Sequence, residues 1–383
     1  MSWEMVSFIK VCNIQGGTQP PKSMFLEEEQ EGYIRLLQIQ DFKRSDKAVF
    51  VPDRKTLKKC NEDDILIGRY GASVGKILTG LKGAYNVALV KTVPNLKKLN
   101  KKYLYHFLRS PCFQNYILNV GSRAAQAGFN KDDLAGLQIP LPPLPEQQRI
   151  ADILDKAEAI TQKREQALAL CDEFLRATFL DMFGDPVSNP KGWETNKLGD
   201  FGGIVTGGTP SRSKPEYYGN HIEWIKSDNI NTPNNYITRA KEFLSVEGES
   251  VGRSVPENSI LMTCIAGSLD CIGNIALTDR KVSFNQQING IVPNDDVDVY
   301  FLYSLLLYSK KYIQNHSTNS MKGMISKGKL SEVIFYLPEM AIQKEFSDIF
   351  LKIESLRNKI QHAQELPLFD ALSQQAFKGE LTL

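Results

Sequence analysis

Histidine is scarce: the chain has four in 383 residues, at positions 106, 221, 316 and 362, scattered rather than grouped. No HExxH and no Gly-x-Ser-x-Gly occurs, which excludes the commonest metallohydrolase and serine-hydrolase arrangements. Pro-Asp followed by Glu-x-Lys at nuclease spacing is missing, as is the Asn/Asp-Pro-Pro-aromatic tetrad of an amino-methyltransferase. His106, on a Tyr/Leu helix, reads as a packed or surface side chain. The six cysteines, at 12, 60, 112, 171, 264 and 271, form no CxxC pair. That argues against a disulfide framework or a Cys-based zinc site and fits a reducing cytosol. No run of 18 apolar residues is present, so no membrane-spanning helix is expected. MSWEMVSFIKVC lacks the cationic-then-apolar order of a signal peptide. The chain reads as non-catalytic, soluble and cytoplasmic, with no cofactor or metal of its own.

What the chain does have is itself, twice. AGLQIPLPPLPEQQRIADILDKAEAI (135–160) and SEVIFYLPEMAIQKEFSDIFLKIESL (331–356) superpose at an offset of 196, with Gln147 on Gln343, Asp152 on Asp348 and Lys156 on Lys352. Upstream, with small gaps, Trp3-Glu4 falls on Trp193-Glu194, Gly17 on Gly207, and Val93-Pro94-Asn95 on Val292-Pro293-Asn294. So long a period is not a solenoid repeat. It implies two complete domains, each followed by a long helix, and a pseudo-twofold molecule suited to a target with two halves or to two copies of one partner.

The net charge of +2 hides an asymmetry. Residues 1–142 carry 21 Lys and Arg against 13 Asp and Glu, whereas residues 143–190 carry 5 against 9. A polyanion should meet the globular parts and a protein the helices. Each globular copy opens with a glycine turn (Gly16-Gly17-Thr18; Gly207-Gly208-Thr209-Pro210). Extended segments follow at 34–39 and 222–225, then Ile65–Ile67 and Ile260–Met262. A strand over 85–93 or 284–292 comes next, and then one amphipathic helix, over 101–110 or 300–307. This is an α+β pattern on an irregular sheet. The run of acids at Glu27–Glu31 reads as a solvated insertion.

Pro145-Glu146-Gln147 suits a helix start and Gly184-Asp185-Pro186 a stop, giving about 39 residues or roughly 58 Å. The apolar positions of the first helix include Ile150, Ile153 and Ile160. Those of the second include Phe346, Ile349, Ile353 and Leu356. Both stripes share one heptad register, which predicts an antiparallel intramolecular coiled coil with these seven residues in its seam. Pro367 should kink or restart the second helix.

Two features of each copy suit nucleic acid. GRYGASVGK (68–76) resembles a phosphate loop but has Tyr70 where Walker A needs Gly and Ile77 where it needs Ser or Thr. It reads as a glycine turn in which Arg69 and Lys76 allow approach to a phosphate; its counterpart at 266–274 has no lysine. Asn119–Leu134 and Asn315–Leu330 are small, polar and cationic. There Arg123, Gln126, Asn130 and Lys131, and Ser317, Asn319, Lys322 and Lys327, have the groups that bond phosphates or base edges.

GGTPSRSKPEYYGNHIEWIKSDNI (207–230), the segment 260–276, SFNQQINGIVPN (283–294) and LPPLPEQQRIADIL (141–154) together resemble the specificity subunit of type I restriction–modification systems. The resemblance spans essentially the whole chain. The first copy departs from it at GGTQPPKSMF and its acidic insertion. The resemblance implies two tandem target recognition domains, at 1–142 and 185–338, each reading one half of a bipartite duplex DNA target. The long helices, at 143–184 and 339–383, would set the spacing and dock two methyltransferase subunits. Adenine methylation with S-adenosylmethionine, and ATP- and Mg-dependent restriction by motor-nuclease subunits, would belong to partners in a bacterial or archaeal cytoplasm. The candidate DNA contacts are then Thr18, Gln19, Arg69, Tyr70, Lys76, Arg123, Gln126, Asn130 and Lys131 in the first domain. In the second they are Thr209, Ser211, Arg212, Lys226, Asn229, Ser268, Asn319, Lys322 and Lys327. The alternatives are a coiled-coil scaffold that binds only protein, or a nucleotide-binding enzyme built around Gly75-Lys76.

Overall fold

The computed structural model describes residues 3–43, 47–121, 128–317, 323–362 and 368–381. By compactness the chain forms one unit of Met1–Glu165 with Ala363–Leu383, and a second of Gln166–His362. The division falls inside the first long helix, not at the helix ends near 142, 184 and 338 where the sequence suggests boundaries.

Each unit is the same α+β domain. In the first, the strands Cys12–Gly16, Leu89–Pro94, Leu66–Gly68 and Ile77–Leu78 lie side by side in that order, all antiparallel. In the second, Gly202–Thr206, Ile288–Pro293, Ile260–Thr263 and Ile275–Leu277 repeat that order. A second four-stranded sheet also recurs, Phe50–Pro52, Tyr33–Leu37, Gly83–Tyr85, Lys59–Cys60 against Phe243–Leu244, Tyr218–Ile225, Val282–Phe284, Ser254–Val255. Its central pair is parallel in both copies.

The single strands expected over 85–93 and 284–292 are each two strands, one in each sheet. Asn86 and Asn285 make the corner: their side-chain oxygens accept from Ala88 N and Gln287 N at 3.1 Å each. An Asn side chain bonding the backbone two residues on is a turn in itself, and alternating apolar residues on either side conceal it. The glycine turn packs against this corner. A Cβ on Gly17 would stand 1.9 Å from Asn86 O, and one on Gly207 2.1 Å from Asn285 O, so only glycine lets the two backbones meet.

The matched glutamines join each domain to its long helix. Gln147 is fully buried; Nε2 donates to Lys98 O and Pro142 O, and Oε1 accepts from Asn100 N, all at 2.8 Å. Gln343 repeats this with Pro338 O at 2.7 Å and Asp298 N at 2.8 Å. Asn100 and Asp298 are in turn the caps of the helices Lys101–Arg109 and Val299–Tyr308. The tryptophans are matched as well. Trp193 Nε1 donates to Phe183 O (2.9 Å) at the end of the helix Leu144–Phe183, and Trp3 Nε1 to Ala376 O (3.0 Å) in the helix Leu368–Lys378.

The helix Leu144–Phe183 ends as expected at Gly184, whose φ is +83°. The second long helix runs Met340–His362 and a further one Leu368–Lys378. Pro367 lies outside the described residues. In the second unit the two long helices run antiparallel: Phe183 and Phe346 have ring centroids 5.7 Å apart, and about three turns away along each helix Asp172 pairs with Arg357.

That register corrects the seam. Ile150 is buried in the first unit with Leu154, Ala376 and Phe377, and Phe346 in the second with Leu175, Phe179, Phe183 and Phe350. Ile349 and Ile353 pack at the edge of that second core, and Ile153 is half-buried. Ile160 and Leu356 are 43% and 47% exposed, so they line no seam. Sharing a heptad phase does not make two stripes face each other. Antiparallel pairing sets early residues of one helix against late residues of the other, and late in the second helix the buried residues are Glu354 and Arg357. Among the described residues, no helix is long and apolar enough to cross a membrane.

Candidate nucleic-acid interface

In each domain the corner, the glycine turn, the glycine loop and the described end of the polar segment, from Gly128 or from Gly323, meet at one edge. In the second domain Thr209 Oγ1 donates to Gln286, and Gln287 O accepts from Cys264 N (2.8 Å) and Ile265 N (3.1 Å). Ile265–Ala266 then pairs with Gly323–Met324. In the first domain Thr18 N donates to Tyr85 O (3.0 Å) and Arg69 N to Ala88 O (2.9 Å). Arg69 Nε reaches Phe129 O at 2.8 Å, and Tyr70 bridges Gly128. Segments that the sequence treats separately are thus one surface, formed twice.

The loop 68–76 is not a phosphate cradle. The N–H groups of Gly68, Val74, Gly75 and Lys76 donate to Lys76, Gly71, Gly68 and Ser73 carbonyls, and that of Ser73 to Tyr70 O. A cradle needs those donors aimed at the anion; here they close the loop on itself. Gly75 at φ +80° and Gly273 at φ +77° make the same turn in the two copies.

The candidates of the first domain divide by what already holds them. Arg69, Tyr70 and Asn130 line one groove with Tyr116, Asp132 and Asp133. The Arg69 guanidinium lies 5.0 Å from the Tyr70 ring, and Tyr70 is 42% exposed. Asn130 Oδ1 accepts from Asp132 N (2.8 Å) and Asp133 N (3.2 Å), so its oxygen is engaged in a turn. Gln19, Lys76 and Lys131 are exposed, and Thr18 is half-buried with Oγ1 near Lys58 N at 3.4 Å. Glu27–Glu31 is exposed throughout. Arg123 and Gln126 lie outside the described residues, as do Asn319 and Lys322.

In the second domain Arg212 and Lys226 gather round Trp224. The guanidinium of Arg212 lies 4.5 Å from the Tyr218 ring and 5.2 Å from Trp224, and Lys226 Nζ is 5.0 Å from Trp224. Glu242 binds both cations; Lys226 first, and then Arg212, hold its carboxyl below the usual range. Ser211 bonds Ser213 at 2.8 Å; Ser268 is exposed and caps Asp270 N at 3.3 Å; Lys327 is exposed at a helix start. Asn229 is a correction. It is 6% exposed, and its amide is engaged by Arg239 O (2.9 Å), Thr238 Oγ1 (3.2 Å) and Lys226 N (3.0 Å), so it shapes the loop and presents nothing. Asp41 does the same in the first domain, accepting from Gln38 N at 2.6 Å.

Glu242, Trp224 and Tyr218 were not legible as site residues. Tyr218 and Trp224 share one strand and Glu242 lies just before another, and only the pairing of those two strands brings the three together. Burial works against ionisation of nearby Glu223, but hydrogen bonds from Arg280, Arg239 and Ala240 N outweigh it and hold its carboxyl low. The basic balance of the first domain is partly neutralised in place, since Lys101 and Lys91 pair with Asp64 at 2.9 and 3.2 Å.

A family model described as the type I restriction modification DNA specificity domain matches residues 1–170 and 190–367. The chain is 31% identical over 201 residues to the HindI specificity subunit of Haemophilus influenzae, a match spanning 50% of this chain and 42% of that one. It is 22% identical over 380 residues to the MjaVIII specificity subunit of Methanocaldococcus jannaschii, covering 92% and 86%. The fold is that of a type I S subunit from M. genitalium, with a TM-score of 0.61 at 15% identity over 98% of this chain and 96% of that one. One match per copy, over two domains of one strand order, makes this chain a member of the type I restriction–modification DNA specificity family.

Proposed function

We propose that this chain is the non-catalytic, sequence-reading subunit of a type I restriction–modification assembly. Each domain reads one half of a bipartite duplex target through the edge formed by its glycine turn, corner, glycine loop and polar segment. The long helices space the domains and dock two methyltransferase subunits; motor-nuclease subunits join in the full complex. S-adenosylmethionine, ATP and Mg act in those partners. One observation carries the reading: the same edge is built twice on one framework, yet with different side chains, Trp224 and Lys226 standing where the first copy has Leu36 and Gln38. A duplicated scaffold with divergent loops suits two unlike half-sites.

Exchanging residues 191–330 for the equivalent segment of a relative should change one half-site of the methylated target and keep the other. Mapping methylated adenines in cells that express the chimaera with its partners measures this. A chimaera in which both halves change, or neither, refutes the two-reader scheme.

A further inference from the structure

Among the described residues of its edge, Arg212 is an exposed cation held by two rings and a carboxylate together. Two rings support its guanidinium, Tyr218 at 4.5 Å and Trp224 at 5.2 Å, while Nη2 donates to Glu242 Oε2 at 2.6 Å. The two rings stand at 75° to each other and hold the guanidinium from two sides, and the ion pair ties one of its nitrogens. A guanidinium has five N–H donors in a rigid fork, and Glu242 engages one nitrogen. The side chain is 58% exposed, so the remaining donors face outward. The loop beneath is pinned as well, by Trp224 Nε1 to Gly208 O at 3.2 Å and Tyr218 OH to Pro210 O at 2.6 Å.

A fixed planar fork suits a planar, two-acceptor edge better than a freely rotating phosphate. In the major groove guanine offers such an edge, with O6 and N7 side by side as acceptors. Phosphates are served by the neighbouring lysines, Lys226 and Lys214, which are point charges on flexible stems. Among the described residues of the first domain no arginine is held between two such rings: Leu36 fills the register position of Trp224, and Arg35 pairs with Asp41 at 3.1 Å.

We propose that Arg212 reads a guanine by its O6/N7 edge in the half-site of the second domain, with Lys226 on an adjacent phosphate. This rests on the reading that the domain binds duplex DNA. Glu242 and the two rings act as positioning residues, and the guanine contact belongs to one half-site only.

The test uses the full chain assembled with its methyltransferase partners on randomised duplexes, as wild type, Arg212→Lys, Arg212→Ala and Lys226→Ala. The wild type should require a G·C pair in the half-site of the second domain. Both Arg212 variants should lose roughly 5- to 150-fold discrimination at that single pair, as expected for one bidentate contact, with the other half-site unchanged. Lys226→Ala should weaken all sequences alike and reduce the salt dependence by about one phosphate. Three results overturn the assignment: a half-site without a G·C pair, Arg212 variants that weaken every sequence equally, or variants that change nothing. A wild-type assembly with no sequence preference would instead refute the DNA-reading function itself, and the guanine contact with it.

Discussion

Replacing Gln147 with alanine should destabilise the first unit far more than a surface change, and the structure gives the size. The side chain is fully buried and makes three hydrogen bonds of 2.8 Å, to Lys98 O, Pro142 O and Asn100 N. Only the bond to Pro142 O is wholly buried, and losing it exposes an unpaired acceptor at about 2 kcal/mol. The other two groups are partly reached by water, at about 0.5–1 kcal/mol each. The sum, about 3–4 kcal/mol, is a large share of the 5–15 kcal/mol typical of a domain. Gln343→Ala should cost about 2–3 kcal/mol in the second unit, because its third contact, to Asp296 O, is long at 3.4 Å. Pulsed hydrogen exchange across a urea series reads the units separately, through peptides near 99–110 and 297–310. With a urea slope of about 2 kcal/mol/M, the Gln147→Ala midpoint should fall by about 1.5 M in the first peptide and hardly move in the second. A fall of less than about 0.3 M, or equal falls in both, would show that these glutamines do not join domain to helix.

Two further outcomes follow from the packing. Gly207→Ala should cost about 3 kcal/mol or more, since its Cβ would stand 2.1 Å from Asn285 O, while Gly203→Ala, with nothing within 4 Å, should stay within about 0.5 kcal/mol; thermal melts of both variants compare them. Burial pushes the pKa of His106 below 6.5 even though Nε2 lies 2.7 Å from Asp155. The unfolded chain therefore binds this proton first as pH falls, so the contribution is present above about pH 6.5 and is lost below it, at up to about 1.4 kcal/mol per pH unit. A His106→Gln variant should flatten the urea midpoint between pH 7.5 and 5.5, and a curve parallel to the wild type would refute this.

The sequence by itself determined the duplication and the features that lie within a few residues of each other. Gln147 and Gln343 sit at one offset because each bonds a proline carbonyl five residues back. The glycines at 17 and 207 mark backbone contacts, and Gly184 ends its helix as a left-handed cap. These are local requirements, and local requirements leave local spellings. The tertiary structure alone decided which residues face which. The seam fell on Phe179, Phe183, Phe346 and Phe350, and not on Ile160 and Leu356, because the pairing register depends on both helices at once. Asn229 turned inward while Arg212 stayed outward, because the first caps its own turn and the second finds its partners in Tyr218, Trp224 and Glu242. Glu242 is 30 residues from Arg212 along the chain. No spacing rule links them; they become neighbours only when the strands Tyr218–Ile225 and Phe243–Leu244 pair edge to edge.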